Sequence, residues 1–335
     1  MKQFKHHVTC LPLALAALLC AAIQPTIAAS KETVTYAYQV DPIFEAILWG
    51  IKNGKVTSDL IEIDATPLAI PALIQATPTK RYDVIQSDVI GVPRSAEKGL
   101  ELRILSTAIR YRPEGDAHII FVPKDSKVQT VDDLKGKKIG VTSLGSTGFH
   151  NLRFALGEGF GANVDITGGD FQWVQLPPAA MFGALSQNSV DGASLSLTHT
   201  YRAKVSGDFR PAIYAGRKMF ELFKVQMISS VNVGYPEKLD AKPEVFREFG
   251  RMLKASADYM HANANEVYAA VGKTYNIDPD IFRGLQATLA EFPAALERKD
   301  LTALAKEWEL AHKYKLLTSV PKVDRFIWSG VDVRP

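Results

Sequence analysis

Short β-branched runs alternate with stretches of helical periodicity along most of this chain, and that alternation is its strongest constraint on fold. Val34-Thr35-Tyr36-Ala37-Tyr38, Leu60-Ile61-Glu62-Ile63, Tyr82-Asp83-Val84-Ile85 and Leu102–Ser106 read as strands. Between the first two, Pro42–Asn53 places Ile43, Phe44, Ile47, Leu48 and Ile51 on one helical face. Pro67–Ala76 reads as a helix with proline near its start, where a missing N–H costs little, and a further helix follows Gln86-Ser87-Asp88 to Lys98. Strands that alternate with helices predict an α/β chain whose sheets are covered by those helices.

The pattern breaks at the polar, turn-prone Arg110-Tyr111-Arg112-Pro113-Glu114-Gly115 and then restarts. His118–Val122, Lys137–Thr142, Phe171–Val174 and Gly192–Leu195 read as strands, with a helical turn at Val131–Leu134 and a helix at Ala179–Ser186. Another helix opens at Gly145-Ser146-Thr147-Gly148. Two such units predict two lobes joined by crossings near Arg110–Glu114 and Phe220–Met227, with a cleft between them. From Pro243 onward helical spacing dominates, through Phe246, Phe249, Leu253 and Ala257 and later Leu301, Leu304, Trp308 and Ala311. Pro321–Trp328 is expected to be a docked tail. No internal sequence repeat is visible.

The N-terminus is expected to be a secretory signal peptide over residues 1–29. Lys2, Lys5, His6 and His7 precede an apolar stretch, Leu11–Ile23, and small residues at Thr26–Ser30 would mark cleavage. The stretch holds about a dozen apolar residues against the ~20 of a spanning helix. Leu19 is large where a lipid signal on Cys20 would want a small residue. Cleavage would remove both cysteines, Cys10 and Cys20, leaving no disulfide and no thiolate ligand. It would also remove Lys2 and Lys5 and no acid, lowering the formal charge of +3 by two. No clustered Lys/Arg patch suggests nucleic acid, and no later apolar run is long enough to cross a membrane. The expected location is the periplasm.

The most specific segment is Thr130–Val141, in which "DDLKGKKIGV" leads into the small polar loop "TSLGST". It resembles the second lobe of type II solute-binding proteins, with the best match to the nitrate/sulfonate/taurine-binding family of ABC importers. "YDVIQSDV" also resembles receptors of TRAP-type importers, although Tyr38-Gln39-Val40-Asp41-Pro42 lacks their Gly-rich first loop. The resemblance to the ABC family covers nearly all of the chain beyond residue 29. It implies a two-lobed type II periplasmic-binding-protein fold, α/β, with two mixed sheets flanked by helices and a ligand cleft between the lobes. The expected division is residues 30–112 for the first part of lobe I, 113–222 for lobe II, and 223–335 for the return to lobe I with C-terminal helices. Such a protein would be a monomer that takes a small anionic solute and delivers it to an inner-membrane permease, with no catalysis, cofactor or metal.

Candidate contacts follow from loops at strand ends. Ser143-Leu144-Gly145-Ser146-Thr147 joins a strand to a helix whose first N–H groups lack internal partners and whose dipole favours an anion. Gly145 would admit a ligand to the backbone, and Ser143, Ser146 and Thr147 could add hydroxyls; an ordinary N-cap needs only one of them. From the other lobe the resemblance points to Tyr38 and Gln39 after the first strand and to Ser87 and Asp88 after the third, Asp88 serving equally well as a helix cap. Arg110 could clamp an anion bidentately or form a hinge salt bridge. Thr198 and His199 stand where members of the family often carry Trp with an acidic residue and Pro, a departure that bears on ligand class. A sulfonate or similar oxyanion is the first expectation. Tyr38, Trp173 and His199 would instead suit stacking on a pyrimidine or aromatic acid. No GxSxG, HExxH or P-loop is present, and Gly157-Glu158-Gly159-Phe160-Gly161 does not follow a strand in the right register. A catalytic relative such as a pyrimidine-precursor synthase is the remaining alternative, because fold alone does not fix function.

Overall fold

A computed structural model describes Met1, residues 30–113 and residues 115–335. Beyond Met1, the expected signal peptide lies outside the described residues, as does Glu114 at the first crossing. Residues 31–335 form one compact unit.

Most of its strands fall into two mixed sheets, and a short parallel pair, Leu296–Glu297 with Val333–Arg334, stands apart from them. The first contains β1 (Glu32–Gln39), β2 (Ile61–Leu68), β3 (Val84–Asp88) and β4 (Arg103–Tyr111). The second contains β5 (Ile119–Pro123), β6 (Lys138–Val141), β7 (Gln172–Gln175), β8 (Gly192–Ser194) and β9 (Phe209–Tyr214). The chain then returns to the first sheet with β10 (Ile228–Gly234) and the two-residue β11 (Ala290–Glu291). The orders are β11-β4-β10-β3-β1-β2 and β7-β6-β8-β5-β9.

Both sheets follow one plan. A parallel trio, β2-β1-β3 or β7-β6-β8, meets an antiparallel strand, β10 or β5, which in turn pairs antiparallel with β4 or β9. In each sheet the reversed strand is the one laid down as the chain arrives from the other sheet. The sequence carries no matching repeat, so the duplication exists only in the backbone. Parallel strands present their carboxyl ends on one side, and ligand crevices in such sheets open there. The loops after β1, β3, β6 and β8 are therefore the ones placed to build a site.

Alternation along the strands separates the cores. On β1, Val34, Tyr36 and Tyr38 pack against helices on the outer face, and Ala37 joins the cluster on the other face. On β5, Ile119 and Phe121 face one cluster while Ile120 and Val122 face another. Both faces are covered, which is why these strands read as nearly continuous apolar runs.

Three elements differ from the sequence reading. Pro67 does not open a helix; it pairs with Tyr38 near the end of β2, an edge strand where a missing donor is tolerated. The helix begins at Ile70, with Pro71 in its first turn. The expected helix Pro42–Asn53 is two short helices, Pro42–Ile47 and Trp49–Lys52, broken at Leu48. Thr198 and His199 lie not in a loop but inside the helix Leu197–Val205.

The C-terminal helices complete the first sheet's cover. Phe246, Phe249, Leu253 and Ala257 are all buried on the helix Pro243–Ala262. Trp308, on the helix Arg298–Lys313, is fully buried and donates from Nε1 to the Val89 carbonyl at 3.0 Å. The tail docks as its apolar residues suggest: Phe326 and Trp328 are buried, and the Trp328 N–H donates to Ile104 O at 3.1 Å. No helix among the described residues is long and apolar enough to cross a membrane.

Candidate functional site

Where the carboxyl ends of the two parallel trios face each other, they enclose a cavity of about 290 Å³. The first lobe lines it with Gln39 at the end of β1, with Ser87 and Asp88 at the end of β3, and with Ser229 and Ser230 on β10. The second lobe adds Thr142, Ser146, Thr147 and Gly148 after β6, Ser194 at the end of β8 and Ser196 after it. Much of the remaining wall is apolar, including Ile70, Leu73, Ile74, Pro78 and Leu100 on one side and Phe149 and Leu152 on the other.

The loop after β6 is built by its own hydroxyls. Ser146 caps the helix Thr147–Phe160: its Oγ accepts from the Phe149 N–H at 3.3 Å and donates to Ser143 O at 3.0 Å. Thr147 Oγ1 donates to Asp88 Oδ1 at 2.9 Å and accepts from the Ile90 N–H at 3.1 Å. These hydroxyls already hold partners within the protein, while both residues line the cavity. What the helix offers the cavity is the backbone of Thr147 and Gly148, whose N–H groups have no partner in the preceding turn. Ser143 is buried and lies outside the lining, its Oγ accepting from the Gly145 N–H. Gly145 also lies outside it; its carbonyl accepts from Arg94 Nη2 at 3.1 Å, and a Cβ there would touch Ile74 at 3.4 Å.

Opposite, Asp88 is both cap and bridge. Its Oδ1 accepts from the Gly91 N–H at 2.8 Å as well as from Thr147, and Arg94 lies 3.8 Å away. Burial pushes its carboxyl above the usual range even against Arg94 and these donors. Asp88 thus accepts at the start of the helix Gly91–Ala96 and also lines the cavity. Gln86 orders the floor: its Oε1 accepts from the Gln39 N–H at 2.8 Å and its Nε2 donates to Ser230 at 2.7 Å.

The other candidates stand apart from the cavity. Tyr38 is fully buried beneath the helical cover, stacked on Tyr36 at 5.6 Å, with its hydroxyl between Glu45 and Lys52. Strand alternation turns it away from the face that carries Gln39. Arg110, also buried, forms a bidentate pair with Asp300 at 2.7 and 2.8 Å and reaches Glu291 at 2.9 Å. Of its two sequence readings, the structure takes the salt bridge. Thr198 donates to Asp41 Oδ2 at 3.0 Å, a second link between the lobes. His199 Nδ1 lies 3.9 Å from the same oxygen, but burial and then Arg202 lower the imidazole to about 4, so this is no ion pair at neutral pH. Trp173 packs on Phe149 and Phe171 rather than lining the cavity.

The structure adds residues that the sequence did not single out. Arg94 and Lys98 are the cations of the lining, and Tyr111 and His118 border it at the crossing between sheets. Burial raises the Tyr111 phenol to about 12 against a hydrogen bond with Ser229. In the sequence Tyr111 falls in the expected crossing and His118 opens the expected strand His118–Val122, positions that mark a hinge as readily as a contact. Among the described residues no group of three His, Cys, Asp or Glu side chains is arranged to hold a metal ion.

A family model described as NMT1/THI5 like matches residues 74–267, more than half of the chain. No curated protein matches the sequence. Among solved structures, the periplasmic aliphatic sulphonate binding protein SsuA from Escherichia coli superposes with a TM-score of 0.67 at 16% identity, covering 90% of this chain and 99% of its own. The ligand binding component of an ABC-type import system from Staphylococcus aureus gives 0.68 at 16% identity, covering 89% of this chain and 97% of that one. The desulfurization enzyme DSZB gives 0.60 at 16% identity over 89% of this chain and 96% of that chain. At such identities the likeness establishes the shared periplasmic-binding-protein fold alone.

Proposed function

Because the chain belongs to the NMT1/THI5-like family, we propose that it is an extracytoplasmic solute-binding protein that serves an ABC importer. One observation carries the reading: a single cavity is built from both lobes, and hydrogen bonds donated by Thr198 to Asp41 and by Thr147 to Asp88 bridge the lobes beside it. A protein that captures a solute by hinge closure needs this arrangement, since ligand then stabilises the closed state. Residues 30–112 and 223–335 would form one moving body and 113–222 the other. The protein would work as a monomer in the periplasm, after removal of residues 1–29, and hand its solute to the permease.

The solute we propose is a small organic anion, a sulfonate first. The helix start at Thr147–Gly148 favours an oxyanion. The apolar walls favour a carbon body over bare nitrate, and the cavity is at the small end of the range for ligand sites. The sulfonate-binding neighbour is consistent with this choice. A pyrimidine or aromatic acid is the competing solute, supported by Tyr111 and Phe149 in the lining. A catalytic role is the second reading, favoured by the desulfurization enzyme of the same fold.

A thermal-shift screen of the purified protein tests these together, with alkanesulfonates, nitrate, alkyl carboxylates, benzoate and a pyrimidine as probes. A solute at one hundred times its Kd should add about 2.7 kcal/mol of stability. Stabilisation by none of them would sink the solute classes named here. Turnover of any of them would replace the binding reading with the catalytic one.

A further inference from the structure

We propose that His118, with Tyr111 beside it, forms the head-group subsite of the cavity and selects solutes that carry a singly charged oxyanion on an apolar body. This rests on the binding reading above and names the residue that would decide its ligand.

His118 holds an uncommon backbone. Its φ is 54°, in the left-handed region, which side chains adopt uncommonly and His more readily than most. Such a conformation costs of order 1–3 kcal/mol and persists where the surroundings or a function demand it. Glycine would remove the strain.

The ring is 7% exposed and lines the cavity. Its Nε2 is enclosed without a hydrogen-bond partner, and neither ring nitrogen is engaged by another described residue. A buried polar group left unpaired is costly, which makes it a candidate for a partner that arrives from outside. Tyr111 fixes the ring edge-on at 4.5 Å between centroids. The Tyr111 hydroxyl in turn meets the helix start, lying 3.5 Å from where a Cβ on Gly148 would stand. The imidazole, the phenol, Ser229 and the first N–H groups of the helix thus surround one corner of the cavity.

That corner offers donors without a full positive charge. Burial lowers the His118 imidazole to about 3, so it stays neutral across the ordinary range. The charged residues of the lining are Asp88, Arg94 and Lys98, and Arg94 is already engaged by Asp88 and the Gly145 carbonyl. Neutral donors and a helix dipole suit a sulfonate or carboxylate. They offer little for the second charge of a phosphate monoester.

Isothermal titration calorimetry with hexanesulfonate, hexanoate and monohexyl phosphate tests this on the full protein and on His118→Gly and His118→Phe. Glycine relieves the backbone and should keep or raise the melting temperature, while affinity for the preferred monoanion falls roughly 10–100-fold, the worth of a hydrogen bond to a charged group. Phenylalanine should lose a similar factor while keeping the ring's bulk. The unaltered protein should bind the preferred monoanion at least tenfold more tightly than the phosphate, with affinity changing little between pH 5 and 8 through His118. Side-chain ¹⁵N NMR should show the His118 ring neutral over that range and shifted on addition of the preferred probe, a signature that a purely structural histidine would not give. Unchanged affinity in His118→Gly overturns the inference and leaves the binding reading standing. Failure of the unaltered protein to bind either monoanion overturns the oxyanion class at this subsite, while the broader screen judges the importer reading separately.

Discussion

Replacing Arg110 by Met keeps most of the buried volume and removes only the guanidinium. Arg110 is 1% exposed and Asp300 is fully buried, so the change strands a carboxylate in the interior. Breaking one partner of a buried ion pair costs about 3–5 kcal/mol. Asp300 keeps two other donors, Thr107 Oγ1 and the Glu297 N–H, each at 2.9 Å, which places the expectation at the lower end. For a folded unit of roughly 300 residues the unfolding entropy is about 0.6 kcal/mol/K, so ~3 kcal/mol corresponds to ~5 °C. Circular dichroism melts of wild type and Arg110→Met measure this directly. Adding Asp300→Asn removes the stranded charge and should recover part of the loss, since much of the penalty is the unpaired carboxylate rather than the pair itself. Solute affinity, measured well below the transition, should stay within about twofold, because Arg110 does not line the cavity. A midpoint within a degree of wild type would refute the energetic reasoning. A hundredfold loss of affinity with normal stability would move Arg110 into the ligand site.

Burial raises the Glu307 carboxyl to about 8, against hydrogen bonds from the Ile228 N–H and Asn151. The folded state therefore holds a proton that the unfolded chain releases near pH 4.5, so this group's stability is full below pH 4.5 and lost as pH rises to about 8. Glu307→Gln should match wild type in urea titrations near pH 4.5 and exceed it increasingly toward pH 8; a difference independent of pH would contradict the burial argument. Trp308→Ala should cost about 3–5 kcal/mol, because it empties a fully buried site and frees the Val89 carbonyl at the end of β3; a loss below 1 kcal/mol in denaturant titrations would show that the helix Arg298–Lys313 docks by other contacts. Thr147→Val leaves half-buried Asp88 without one donor and the Ile90 N–H without its acceptor, and should cost about 1–3 kcal/mol. If the loss is smaller, solvent reaches this bridge. Asp41→Asn keeps a helix cap of equal strength and should flatten any pH dependence near 7 that arises from Asp41, whose carboxyl burial raises to about 7; an unaltered pH profile would exclude that group as its source.

The amino-acid sequence by itself determined the class of fold, because strand and helix periodicities are local and survive without tertiary context. It placed most of the strands, the acidic turn before Lys135-Gly136-Lys137, the helix start beside Ser146 and Thr147 and the apolar tail that ends in Phe326 and Trp328. Tertiary structure decided which polar groups face the cavity. Tyr38 and Gln39 are adjacent in sequence, yet one is buried under the helical cover and the other lines the site, since a strand turns successive side chains to opposite faces. Arg110 became an ion-pair centre only because Asp300, far along the chain, folds against it. The hydroxyls of Ser146 and Thr147 were legible as polar atoms at a helix start; Ser146 bonds within its own loop, but the commitment of Thr147 to Asp88 depends on how two lobes meet. His118 carried no motif at all. Its strained backbone, enclosed nitrogen and place beside Tyr111 arise from the crossing between sheets, and a linear sequence cannot display a cavity formed by segments that meet only in the folded chain.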